Sequence, residues 1–414
     1  MNAFDSHALI DASASKALSS LSICYSPLID RARKAMGTRL TMLSLRAHER
    51  PRLGDMLAEL NESWPEASAP VLVAPLDAVF DDSLLEWKAP HNALLEVPCA
   101  ALANPETQQL LQRARRAGLR MVLRGRSEVP LPPPLVECFE YSLIHIADDR
   151  RVTPAGQMIP AASGVTRRVP YIISGVQTVA DVDACYERGA AASVGWPLED
   201  VSQTGPRALQ PGQAVVLQLL RLVRDDADIG EIDAALKQDP ALAFKLLRLV
   251  NSAAFGLSVQ ITSFQHAVMM LGYKKMMRWL SLLLTTASKD ANTAPLVHAS
   301  IRRGLFLEYV AGAEADGETR DELFITGAFS LLDRITGASF PQLFELIALS
   351  DNITDAICAG EGPYGPYLGL IEAIERSDPI AIRRATEALA LPVAQCNSAL
   401  LRALAAAQSL DGEI

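Results

Sequence analysis

Residues 239–288 constrain the fold of this chain more than any other stretch. They read DPALAFKLLRLVNSAAFGLSVQITSFQHAVMMLGYKKMMRWLSLLLTTAS. Leu242, Leu246, Leu249, Val250 and Ala253 recur at i, i+4, i+7, i+8 and i+11, the spacing of one helix face. Phe244 and Leu247 widen that face and predict a helix buried on more than one side. Asp239-Pro240 is a start signal, with proline at the first helical position. Asn251-Ser252 and Phe255-Gly256 close the helix. Thr262-Ser263-Phe264-Gln265 reads as a capping box before a second stripe of Phe264, Ala267, Val268 and Leu271. Gly272 stops that helix. A third helix over 274–287 turns Met276, Leu280, Leu283 and Leu284 inward. Spacing alone predicts a compact helical core.

The residues themselves carry more. The order Asp-Pro, Leu-(x)n-Val-Asn-Ser-Ala-Phe and then Ala-Val-x-x-Leu-Gly resembles the HDOD domain. That family is an all-helical relative of the HD and HD-GYP metal phosphohydrolases, and its members lack the catalytic set.

A chain of 414 residues predicts two or three domains. Its net charge of −10 makes it a poor non-specific binder of nucleic acid. Six cysteines, Cys24, Cys99, Cys138, Cys185, Cys358 and Cys396, form no CxxC pair. Reduced, buried thiols in a cytoplasmic protein are expected rather than disulfides or a zinc site. Apolar runs fall short of the roughly 18 residues that a membrane span needs. Residues 1–20 lack a basic and apolar leader pattern and read as a mobile tail.

Residues 21–203 alternate short apolar runs with helical patterns. Strands are expected over 71–76, 93–98, 119–123, 141–146 and 169–174, and helices over 105–117 and 179–188. This alternation predicts a parallel, barrel-like α/β domain. Residues 129–134, Val-Pro-Leu-Pro-Pro-Pro, read as a rigid polyproline loop.

The same succession resembles a degenerate EAL domain, the TIM-barrel fold of cyclic-di-GMP phosphodiesterases. CYSPLID over 24–30 stands where the family's opening R-Q-P-I-x-D strand belongs. Leu94-Leu95-Glu96-Val97 matches the L-E-(I/V) strand, and AGLRMVL over 117–123 the strand that normally ends in Asp-Asp-Phe. Ile144-His145-Ile146 stands at K-I-D, 172–178 at A-E-G-V-E-T, and 188–197 at the closing motif. An EAL-like domain followed by an HDOD domain is itself a known family arrangement.

Catalysis on that fold needs carboxylates at strand ends to hold divalent cations against a phosphodiester. Nearly all are missing here. Met42-Leu43-Ser44 stands near Glu-Ala-Leu, Arg124-Gly125 replaces the Asp pair, and His145 and Ala147 replace Lys and Asp. Ser174 and Gln177 replace two glutamates. Only Glu96 survives, and one carboxylate does not assemble the site. Asp148-Asp149 reads as a solvated turn rather than a shifted site. Arg113, Arg115, Arg116, Arg120, Arg124 and Arg126 form a basic group. Arg120, Arg124 and Arg126 are candidate anion or ligand contacts; a solvated helix face is the competing reading.

Asp200 to Arg207 mark a boundary, and residues 204–414 are expected to be all-α. Helices are expected over 215–224, 229–237, 297–310, 323–335, 341–349, 353–358, 368–376, 380–389 and 394–407. In the HD hydrolases a first histidine and a His-Asp doublet bind metal. His298 stands at the first position, while Leu332 replaces the doublet histidine and Asp333 remains. A helix-start role for His298 is favoured, and for Asp333 a cap or a salt bridge with Arg302, Arg303 or Arg334. His266 is likewise read as structural. The turn-rich loop over 360–367 offers Tyr364 and Tyr367 as a candidate partner surface.

The two resemblances imply a catalytically inactive bacterial signalling protein that acts through protein partners. Motility, biofilm or virulence regulation is what they imply for its setting. A non-hydrolysing cyclic-di-GMP receptor is the alternative, and a residual metal-dependent phosphodiesterase the remote one. No metal, cofactor, nucleic acid or membrane partner is expected; an oligomer is compatible with the sequence.

Overall fold

Eight strands close into a barrel in sequence order. They are β1 (Leu21–Ile29), β2 (Ala35–Ser44), β3 (Val71–Pro75), β4 (Ala93–Pro98), β5 (Met121–Arg124), β6 (Tyr141–His145), β7 (Tyr171–Val176) and β8 (Ala192–Gly195). The computed structural model describes residues 21–44, 52–62, 69–76, 78–125, 131–148, 169–197, 211–236, 239–251, 261, 263–287, 293–312, 315–347 and 349–411. Those up to 197 form one compact unit, and those from 211 a second. The expected tail over 1–20, the boundary over 200–207, Arg126 and Asp149 lie outside the described residues.

Neighbours from β2 to β8 pair in parallel, as the alternation predicts. β1 departs from that expectation and runs antiparallel to both β2 and β8. Its link to β2 is a tight turn in which Asp30 Oδ1 accepts from the Lys34 N–H at 2.9 Å. So short a link joins antiparallel strands only; a parallel pair needs a crossover of a dozen residues or more. Strands β5 and β7 each begin two residues later than expected. Pro170 has no N–H to give a ladder, which suits it to a position just before a strand.

Leu28, Leu72, Leu94, Val122, Leu143, Ile172, Ala192 and Val194 meet in one apolar layer. Side chains two residues apart on a strand share a face. Glu96, Arg124, His145 and Ser174 therefore lie on the face of Leu94, Val122, Leu143 and Ile172, one step nearer the C-terminal ends. Arg39 pairs in register with Leu72 and shares that face. On the opposite face Ile29, Ile144, Ile173 and Val176 pack with Val182 and Cys185.

Four helices accompany the strands: α1 (Leu53–Glu62), α2 (Pro105–Arg116), α3 (Pro133–Val136) and α4 (Val179–Glu187). Asn104 caps α2 by accepting from the Glu106 N–H at 2.9 Å. Helix α3 corrects the expected polyproline loop. Pro132 is extended, but Pro133 and Pro134 occupy first-turn positions, where the missing N–H costs nothing.

The second unit is helical throughout its described residues. It contains α5 (Pro211–Arg224), α6 (Ile229–Leu236), α7 (Pro240–Val250), α8 (Phe264–Thr286), α9 (Ala294–Val310) and α10 (Gly317–Phe329). Helices α11 (Leu332–Thr336), α12 (Phe340–Leu346), α13 (Asp351–Ala359), α14 (Gly365–Glu375), α15 (Pro379–Ala388) and α16 (Val393–Asp411) follow. Helix α9 is the centre: residues 298–307 are all buried, and α10 and α16 pack on it.

In the 239–288 stretch, Leu242, Leu246 and Val250 are buried as their spacing predicts. Phe244 is a correction: it is 61% exposed, so α7 buries one stripe only. Asn251 closes α7, donating to the Leu247 and Ile261 carbonyls and accepting from the Ile261 N–H. The cap of α8 is Ser263, which accepts from the His266 N–H at 3.1 Å, one residue later than a Thr262 cap. Gly272 breaks α8 with φ 73° and ψ 169°, a backbone state that only glycine adopts readily. Beyond it Met276, Leu280, Leu283 and Leu284 turn inward. All six cysteines are free thiols; four are buried, Cys99 is half-buried and Cys358 is exposed. Among the described residues no single helix is long and apolar enough to cross a membrane.

Candidate functional site

The C-terminal ends of the parallel strands are where a barrel of this kind carries its chemistry. Glu96 stands there on β4 and is 1% exposed. Its carboxylate accepts from Arg39 Nε at 2.6 Å and from Arg39 Nη2 at 2.8 Å. Arg124 Nε lies 4.0 Å from the same carboxylate. The forked guanidinium matches a carboxylate bidentately, the strongest form of this contact. Burial works against the charge on Arg39, but Glu96 beside it holds the pKa above the ordinary guanidinium value. Arg39 gave no signal in the sequence. It lies 57 residues from Glu96 and within a strand whose inward positions are polar.

Other positions that the EAL resemblance singles out lie at the same ends. Met42 is buried on β2. His145 ends β6, and its ring lies against Gly175, which has φ +81°. A Cβ on Gly175 would overlap that ring, so glycine is required twice over. Ser174 Oγ donates to the Ile144 carbonyl at 3.5 Å. Gln177 begins a helix cap: Asp181 Oδ2 accepts from the Gln177 and Thr178 N–H groups, and Thr178 Oγ1 accepts from the Asp181 N–H. Asp148 is exposed.

A divalent cation does not fit this donor set. Among the described residues Glu96 is the one buried carboxylate at these ends; Arg39 already neutralises it, and Arg124 adds a second positive charge. Among the described residues no three His, Cys, Asp or Glu side chains converge on a point.

Within the basic group Arg113, Arg115, Arg120 and Arg124 form ion pairs. Arg113 reaches Asp82 at 2.9 Å. Arg115 and Arg120 share Glu140, at 3.0 Å and 2.9 Å. Burial would raise the Glu140 pKa, but the hydrogen bonds from Arg120 and Arg115 overcome it and hold the group below its ordinary 4.5. A carboxylate depressed in the folded state stabilises above the unfolded pKa, and that stability is lost as pH falls through the folded pKa. Glu140→Gln is therefore expected to unfold more readily than the parent at pH 7, with the gap closing below pH 4.5. Urea unfolding at both ends of that range checks it.

In the helical unit His298 lies buried on α9, and Asp333 is half-buried in the first turn of α11. Burial pushes the Asp333 carboxyl up, against the pull of helix-start N–H groups and Arg334. Of the arginines offered as its partner, Arg303 goes elsewhere. Arg303 Nε and Nη2 donate to Glu375 at 3.0 Å and 2.6 Å, and Nη1 donates to Ser330 Oγ at 3.0 Å. A second hub escaped the sequence reading. Arg278 donates to both Glu308 oxygens at 2.7 Å and 2.6 Å and lies 4.2 Å over the Phe324 ring. A lone charge in the 276–284 run, which is otherwise apolar apart from Ser281, was the available signal.

Tyr364 corrects the expectation of a tyrosine surface. It is 6% exposed, and its hydroxyl donates to Glu322 Oε2 at 2.6 Å. Burial and the Glu322 carboxylate together push its pKa up. Tyr367 is half-buried on α14.

A closed barrel with an arginine-sealed glutamate, joined in one chain to a helical unit, is the class that this geometry defines. The helical unit carries an HDOD domain, the family that matches residues 209–337. Over 173 residues the chain is 32% identical to the cyclic di-GMP phosphodiesterase CdgJ of Vibrio cholerae, covering 42% of this chain and 40% of that protein. It is 24% identical over 163 residues to the uncharacterized protein YuxH of Bacillus subtilis, covering 39% of this chain and 40% of YuxH. The chain thus spans about two-fifths of the length of these curated relatives. A solved structure from Shewanella amazonensis SB2B shares 13% identity, covering 52% of this chain and 96% of that one, at a TM-score of 0.38.

Proposed function

We propose that this chain is a non-catalytic regulator in a bacterial cyclic-di-GMP signalling system, acting through protein partners. In this reading the barrel is a degenerate EAL domain and the HDOD domain presents a binding surface. The observation that carries it is the seal on Glu96. Glu96, the buried carboxylate at the strand ends among the described residues, is already paired with Arg39 and has little left to offer a cation. The relationship to CdgJ supports the signalling setting, and that protein's phosphodiesterase activity is its own. Phe244 and Met269, 61% and 70% exposed on consecutive helices, are apolar groups open to a partner.

The test combines turnover and binding. The full chain with magnesium or manganese should not hydrolyse cyclic-di-GMP, and calorimetric titration with the nucleotide should give no heat. Turnover that disappears in Glu96→Ala would sink the proposal. Binding without turnover would replace it by the receptor reading, to which Arg124 at the barrel mouth would lend a phosphate contact.

A further inference from the structure

The opposite end of the barrel holds a cavity of about 310 Å³, at the small end of the range for small-molecule sites, about 300–1,000 Å³. Its inner wall is the apolar lumen layer: Leu28, Leu72, Leu94 and Ile172 line it, all buried. Its rim belongs to the loops that enter the parallel strands. His91, Tyr141 and Arg120 stand there, with Met36 and Ala191 at the exposed edge. The cavity lies wholly within the barrel unit and shares no residue with the Glu96 cluster.

The charge of the rim is set by one ion triad. Arg115 and Arg120 divide a single carboxylate, Glu140, and so leave one positive charge over. Arg120 commits Nε and Nη2 to Glu140 at 3.0 Å and 2.9 Å. Among the described residues its Nη1 holds only the His91 carbonyl at 3.4 Å, a long contact that a ligand oxygen can displace. Such a site has a branched-aliphatic interior and one weakly held cationic donor at its mouth. Strong acid groups of higher charge would meet Glu140, whereas a single negative charge balances the triad.

We infer that the N-terminal end of this barrel is a binding site for a small free monoanion with an apolar tail, such as a medium-chain carboxylate. The tail lies against Leu72, Leu94 and Ile172, and the carboxylate takes the Arg120 Nη1 donor.

Calorimetric titration of the full chain with decanoate and with decanol tests this. Decanoate should bind one-to-one, and decanol about tenfold or more weakly, since a charge-assisted hydrogen bond is roughly twice as strong as a neutral one. Ala191→Trp, a substitution at an exposed edge position, should abolish decanoate binding without changing the thermal midpoint. Arg120→Gln should reduce decanoate affinity to that of decanol. Should Arg120→Gln fail to fold, the comparison of decanoate with decanol on the parent still decides the role of charge. Equal affinity for acid and alcohol overturns the anion site. Binding undiminished in Ala191→Trp, or no saturable binding below about 1 mM, overturns the pocket itself.

Discussion

Replacing Glu96 with alanine is expected to destabilise the barrel by about 3–5 kcal/mol, because removing one partner of a buried ion pair leaves the other uncompensated. Glu96 is fully enclosed, and both of its Arg39 contacts are short. The stranded group would be Arg39, whose side chain is only 16% exposed, with Arg124 already nearby. The double variant Arg39→Met with Glu96→Leu should recover most of the loss, since a packed apolar pair often serves as well as a buried ion pair. Hydrogen exchange at β2 and β4 in the full chain reads barrel opening apart from the helical unit. Protection that is unchanged or increased in Glu96→Ala would mean that the Arg39 pair does not hold the barrel, and the seal on which the non-catalytic reading rests would fall.

What the sequence makes legible is whatever is written locally. Asp239-Pro240, Asn251 and Gly272 punctuate their helices as read, because caps and glycine breaks act within a few residues. Strands β3, β4 and β6 start where their apolar runs start. Strand β2 has no such run. Gly37, Thr38, Arg39 and Thr41 interrupt it, and Arg39 among them meets a partner, Glu96, that lies two strands away. Helix α1 likewise went unread, since no Ser, Thr, Asp or Asn stands before Leu53 to mark its start. Tyr364 was misread for a related reason. Its glycine- and proline-rich surroundings look like an exposed loop, yet its partner Glu322 lies 42 residues away on α10.

The site was legible by subtraction only. The resemblance to an EAL domain singles out Glu96, but it says nothing of what holds that carboxylate. The Arg39–Glu96 contact crosses two strand connections, and the Arg303–Glu375 contact spans 72 residues. Neither pair carries a spacing that sequence periodicity can detect. The arginine group was visible as a cluster, but its division into pairs with Asp82 and Glu140 depends on where β6 and the turn after β3 come to lie.

The Arg303–Glu375 pair is expected to be the costliest to break in the helical unit. Both side chains are nearly enclosed, at 6% and 5% exposure, so neither end of a broken pair can turn to water. Arg303 also holds Ser330, whose hydroxyl donates in turn to the Gly327 carbonyl at 2.8 Å. One guanidinium thus ties α9 to the end of α10 and to α14. Arg303→Ala should cost about 3–5 kcal/mol, as for any single removal from a buried pair. Glu375→Ala should cost less, because Glu372 lies 3.8 Å from Arg303 and offers a second carboxylate. The Arg303→Ala, Glu375→Ala double variant should fall well short of the sum, with a coupling of about 0.5–3 kcal/mol for residues in direct contact. A double-mutant cycle by urea unfolding, followed through Trp279 in the same unit, measures it. Strict additivity would mean that the two groups are not coupled, and that the helical unit is held by its apolar core around α9 alone.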